Sequence, residues 1–176
     1  MKKSTTSLSV FTIIAMVMFS SSSFAQAKLT DPEIASVAVT ANQVDINYAK
    51  IAKEKSKNAD VIKFANTMAT DHQSIIDQAV ALVTKLKVTP KDNATSKKLN
   101  SDAEATKKTL NAKSAKDFDK AYIDNEVAYH KAVINVVQNT LIPQAQNAEL
   151  KALLVKVLPV LKAHLEHAEM VQKMFK

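Results

Sequence analysis

Not one glycine occurs in the 176 residues of this chain. That absence constrains the fold more than any motif does. Hairpins, bulges and left-handed turns need residues that tolerate positive φ, and glycine does so without steric cost. Here Asn or Asp is expected to serve wherever such a turn is required. A sheet built on many tight turns is therefore disfavoured. The sequence is instead rich in Ala, Lys, Val and Leu, and the prediction is an all-α protein.

Four prolines punctuate the chain. "TDPE", Thr30 to Glu33, reads as a helix start: Thr30 or Asp31 can cap, Pro32 suits the first turn, and Glu33 suits the positive end of the dipole. Pro90 sits in a polar stretch, and Pro143 closes a helix. Only Pro159 falls inside a helical pattern, where a kink is expected. Four amphipathic segments follow from the +3/+4 spacing of apolar residues. They run from about Pro32 to Lys57, Ala59 to Lys87, Lys116 to Leu141 and Ala148 to Phe175. Helices of that length cannot bury a stripe alone, so they imply a four-helix bundle.

Loop lengths suggest the order. Short links join the first pair and the last pair, which makes each pair antiparallel. Between the second and third lies the long polar stretch Val88 to Ala115, expected to be partly helical and long enough to return along the bundle. The expected topology is ferritin-like, up-down-down-up, with one long crossover between helices 2 and 3. An up-down-up-down bundle with a decorated loop is the alternative.

The first residues stand apart. Lys2 and Lys3, the apolar stretch Leu8 to Phe19 and the small residues before Ala25 read as a secretory signal peptide, cut after Ala25 or Ala27. The apolar run is about a dozen residues, short of the roughly 20 that span a membrane. The domain proper is then 26–176, exported to the periplasm or beyond in a bacterium, with no membrane span after cleavage. Cysteine is absent, which excludes a disulfide framework. The formal charge is +7, but every basic residue is lysine, and beyond the signal only three Phe and three Tyr remain. Without arginine forks or stacking aromatics, no nucleic-acid partner is expected. No nucleophile elbow or phosphate loop points to a hydrolase.

The apolar stripes are each interrupted once, in phase. Asp45 breaks the first, His72 the second, His130 the third and His164 the fourth. Each lies near the middle of its segment, so the four should converge in one layer of the core. Isolated buried polar groups cost about 1 to 3 kcal/mol each. Convergence relieves that in one of two ways. Three imidazoles and a carboxylate make a first shell for one Zn, Fe or Cu ion; alternatively an Asp–His–His hydrogen-bond network closes without metal. Glu126, one turn before His130, is a further ligand or an outer acceptor. His167, one turn beyond His164, either joins the site or is a partly exposed helix histidine. Asp71 is expected to point elsewhere, as a solvated or helix-bridging carboxylate.

"FANTMATDH" (Phe64 to His72), "FDKAYIDNEVAYH" (Phe118 to His130) and "LPVLKAHLEHA" (Leu158 to Ala168), with "ANQVDINYAKIA" in the first helix, together resemble the DUF4142 family. The resemblance covers nearly the whole chain past the signal. It implies an exported bacterial protein with a ferritin-like four-helix bundle and no settled biochemical activity. It also implies histidines at His72, His130 and His164, and usually a glutamate where this chain has the shorter Asp45.

Three functions compete. One is an exported metal-binding bundle serving metal handling or stress protection. A second is a non-catalytic structural or interaction protein of the cell envelope with a buried His–Asp network. The third, a di-iron redox enzyme, needs a carboxylate from each of two helices and a Glu-x-x-His pair on each of the other two. No glutamate precedes His72 in its helix, and Glu126 precedes His130 by four residues, so this reading is the weakest.

Overall fold

The computed structural model describes residues 28–175, and the expected signal peptide lies outside them. The described residues are helical nearly throughout. Helix α1 is Asp31–Lys55, α2 is Ala59–Leu86, α3 is Ala94–Ala112 and α4 is Ala115–Val136. A five-residue π-helical turn, Val137–Leu141, continues α4 into the short α5, Ile142–Gln144, and α6 is Ala148–Gln172. A last 3₁₀ turn covers Lys173–Phe175. No helix among the described residues is long and apolar enough to cross a membrane.

The start of α1 is built as the sequence suggests, and three others are capped by asparagines that were not singled out. The Glu33 carboxylate accepts from the Thr30 N–H at 2.9 Å and from its hydroxyl at 2.7 Å. The Asn58, Asn93 and Asn147 side chains each accept two backbone N–H groups at the starts of α2, α3 and α6. These bonds satisfy donors that a helix leaves unpaired in its first turn. The expectation for positive φ is corrected. Among the described residues the one non-glycine with positive φ is Lys87, at 54°, not an Asn or Asp. It ends α2 in the left-handed conformation, and its N–H bonds back to the carbonyls of Thr84 and Val83.

Hydrogen bonds between helix ends give the direction of each run. The Lys91 N–H donates to the Pro32 carbonyl at 2.9 Å, and Asn93 Nδ2 to the Glu33 carbonyl at 3.0 Å. The end of α2 and the start of α3 therefore meet the start of α1. Lys55 Nζ donates to the carbonyl of Asn111 at 2.6 Å, so α3 finishes beside the end of α1. The crossover runs parallel to α1, and α4 starts at the opposite end, where Lys55 lies over the Phe118 ring. Asp31 accepts the N–H groups of Gln146 and Asn147 at 2.8 and 2.9 Å, which fixes the start of α6 beside the start of α1. Helices α1 and α6 thus point one way and α2 and α4 the other, with α3 as the return limb.

The core falls into two parts. One, toward the end of α1, is aromatic: Tyr48, Phe64, Phe118 and Tyr122 pack with Met68 and Ile123. The other, toward its start, is aliphatic: Ile34, Val37, Leu141, Leu150, Leu154 and Leu161. The layer between them is polar.

Candidate metal centre

Asp45, His72, Glu126, His130 and His164 are all buried, none more than 4% exposed. They come from α1, α2, α4, α4 and α6. His72 and His164 lie 5.0 Å apart by ring centroid, and His130 lies 5.6 Å from each. One ligand atom from each of the three histidines can be chosen so that all lie within 4.8 Å of one another. The same holds for Asp45, Glu126 and His130.

The outer partners decide what the rings present. Asn42 Nδ2 donates to the Ala38 carbonyl at 2.7 Å, which turns its Oδ1 toward His72 Nδ1, also at 2.7 Å. That oxygen only accepts, so His72 Nδ1 carries the proton. His130 Nδ1 lies 3.0 Å from the Glu126 carbonyl, another pure acceptor. His164 Nε2 lies 2.9 Å from the Asp71 carboxylate. Each neutral ring has one N–H, and each has used it outward. The nitrogens that remain are His72 Nε2, His130 Nε2 and His164 Nδ1. All three are buried lone pairs without a hydrogen-bond partner, as are both carboxylate oxygens of Asp45 and of Glu126. Seven of the ten such atoms among the described residues belong to this one layer. Native cores leave few such atoms, and a cluster of them calls for a ligand.

Asp45 Oδ2 sits 3.5 Å from His72 Nε2 and 3.6 Å from His130 Nε2. Two ligands held tetrahedrally about 2.1 Å from one ion sit about 3.4 Å apart. A void of about 10 Å³ bounded by His72, His130, Asn42 and Tyr129 adjoins the layer, about the room of one water-sized particle.

Charge tells the same story. Burial pushes the Asp45 carboxyl up to about 7. Burial first, then the neighbouring Asp45 charge, pushes Glu126 well above the usual carboxylate range. The Asn125 amide opposes the shift of Glu126 only in part, and one proton shared between the two carboxyls would supply a bond between them. The histidines move the other way. Burial holds His72 well below its ordinary value and His130 down to about 4, and it lowers His164 against the opposing pull of Asp71. The layer therefore combines neutral imidazoles with a carboxyl pair that cannot ionise fully without a nearby cation.

Two expectations change. His167 is half-buried and packs edge-on against Phe64 at 5.1 Å, outside both groups of converging ligand atoms. One turn along α6 carries it past the layer into the aromatic half of the core. Asp71, expected to point elsewhere, does bridge helices, and its partner is a histidine of the layer itself. Asn42 was not singled out from the sequence. Its signal was slight: a polar residue three before Asp45, on the buried side of α1.

The family model for a domain of unknown function, DUF4142, matches residues 18–171. The chain belongs to the DUF4142 family. No curated protein and no solved structure matches it. The DUF4142 match spans all four helices that feed the polar layer, so the site lies wholly within the family's domain.

Proposed function

We propose that this DUF4142 protein is an exported metal-binding bundle, holding one transition-metal ion at mid-bundle for metal handling or stress protection. His72, His130, His164 and Asp45 supply the ligands, and Glu126 acts as a fifth ligand or as the acceptor that orients the others. The observation that carries this reading is the set of three imidazole lone pairs and the Asp45 carboxylate turned toward one another in one buried layer. Every outward N–H is already bonded, which is the arrangement that orients histidines toward a metal. Nitrogen and oxygen ligands without thiolate suit Zn²⁺, Fe²⁺ or Cu²⁺.

One observation favours a second reading. Asp45 and Glu126 converge within 4.8 Å, and a proton shared between them, with the His164–Asp71 pair, would close part of a metal-free network that fixes helix register in a structural protein of the envelope. Elemental analysis of protein purified without a histidine tag separates the two. About one transition-metal ion per chain is expected, lost in His72→Ala and in His164→Ala. Wild-type protein that takes up none of Zn²⁺, Cu²⁺ and Fe²⁺ on titration overturns the metal reading in favour of the network.

A further inference from the structure

The aliphatic half of the core is not filled. A cavity of about 250 Å³ runs through it, enclosed by α1, α2, α3, α4 and α6. The cause lies in residue size. The aromatic half has Tyr and Phe rings to span the gap between helices, whereas here the walls carry alanines such as Ala35, Ala38 and Ala79. The two helices opposite are irregular beside it. The π-helical turn places Val137 and Leu141 in the wall, and such turns recur at functional sites. Pro159, which has no backbone N–H to donate, sits within the continuous α6 between two other wall residues, Val157 and Leu161.

The shape is long. Lining residues on α1 extend from Ala35 to Tyr48, about 20 Å at the helical rise. On α4 and the start of the π-helical turn they extend from Asn125 to Val137, about 18 Å. The mouth lies between α3 and α4, where the wall residues Asp102, Ala128 and Ala132 are exposed. Thr106 and Asn125 add polar groups at this rim. The interior is mostly apolar. An apolar cavity of about 150 Å³ stays dry and takes up benzene; by that ratio this one has room for about ten carbons.

We propose that this cavity is a binding site for a medium-chain aliphatic amphiphile, its hydrocarbon chain along the bundle axis and its polar head at the rim between α3 and α4. An elongated, mostly apolar interior, with Asp102, Thr106 and Asn125 gathered at one opening and Asn42 among the few polar groups deeper in, matches a single unbranched chain better than a compact polar metabolite. The proposal does not rest on the metal reading. The cavity shares Ala41, Asn42, Tyr129, Val133 and Leu161 with the small void that adjoins the polar layer.

The test is calorimetric titration of the purified protein with decan-1-ol and with decanoate, in chelator and again with zinc. Saturable binding of at least one of them is expected, equal in the two conditions. The double variant Ala38→Leu/Ala132→Leu fills the cavity by several methylenes and should weaken binding about tenfold or more. If that variant is poorly folded by circular dichroism, Ala79→Leu on the α2 wall gives the same reading. No saturable binding of either compound to wild-type protein, or undiminished binding to a folded filled variant, overturns the proposal. Loss of metal binding with amphiphile binding intact would count against the metal centre alone.

Discussion

Asn42 shows how one uncharged side chain sets the state of a charged layer. Its amide is held by the Ala38 carbonyl on its own helix, so only the oxygen faces His72. His72 is thereby fixed with its proton on Nδ1 and its Nε2 lone pair toward Asp45. Removing the amide frees the ring to rotate and to change tautomer. Asn42→Ala should therefore weaken zinc affinity by about 10- to 100-fold, measured by competition with a chromophoric chelator; an affinity equal to wild type would mean that the ring is oriented by packing alone. The three histidines and Asp45 were legible in the sequence because each breaks an apolar stripe in phase at mid-helix. Asn42 was not, because its role exists only once α1 lies against α2 and residues thirty apart in sequence meet. Asp71 bridges helices, one of the two roles expected of it, but its partner in the layer was not legible for a related reason. Its neighbour His72 faces inward, which suggested an outward carboxylate, yet a half-exposed position on α2 still reaches across to α6.

At the scale of the element, helix periodicity carried most of the information. The four long segments and the helical crossover are all found within a few residues of where spacing and punctuation place them. Pro159 is passed without interruption of α6, because the surrounding turns are held by buried Leu154, Val157 and Leu161. What spacing does not reveal is a change of pitch: Val137–Leu141 continues the apolar pattern of α4, and nothing in that pattern separates a π turn from an α turn. Composition also misled at one place. With no glycine available, Asn or Asp was the natural choice for a left-handed residue, but the end of α2 uses Lys87. A β-carbon in that conformation costs about 1 kcal/mol. Lys87→Gly removes the clash, and the side chain is exposed and bonded to nothing that would be missed. The variant should be more stable by up to about 1 kcal/mol, read from urea unfolding midpoints at unchanged slope. A variant less stable than wild type would show that the glycine's added freedom in the unfolded chain outweighs the relief of strain.

The whole molecule should report the polar layer through its response to pH. In metal-free protein two sets of groups oppose each other. His72, His130 and His164 titrate below their ordinary value of 6.5, so between about 4, where His130 titrates, and 6.5 the unfolded chain binds protons that the native state refuses. Stability from the histidines is therefore lost as pH falls through that window. Asp45 and Glu126 titrate above their ordinary values, so the native state keeps protons that the unfolded chain releases. For Asp45 stability is lost as pH rises from 3.8 to about 7. Below 6.5 the imidazoles and the carboxyls oppose each other, and each net proton corresponds to about 1.4 kcal/mol per pH unit. Above 6.5 only the carboxyls act. Thermal melts of chelator-treated protein should consequently vary little with pH just below 6.5, where the two sets offset each other, and decline above it. A bound divalent ion reverses the second effect, because its charge favours both carboxylates in the ionised form. Zinc-loaded protein should lose the decline above pH 6.5 and melt more steeply on the acid side, where protons compete for the imidazoles. If zinc raises the melting temperature by the same amount at pH 5 and pH 8, the ion sits on surface groups and not in the layer that joins the four long helices.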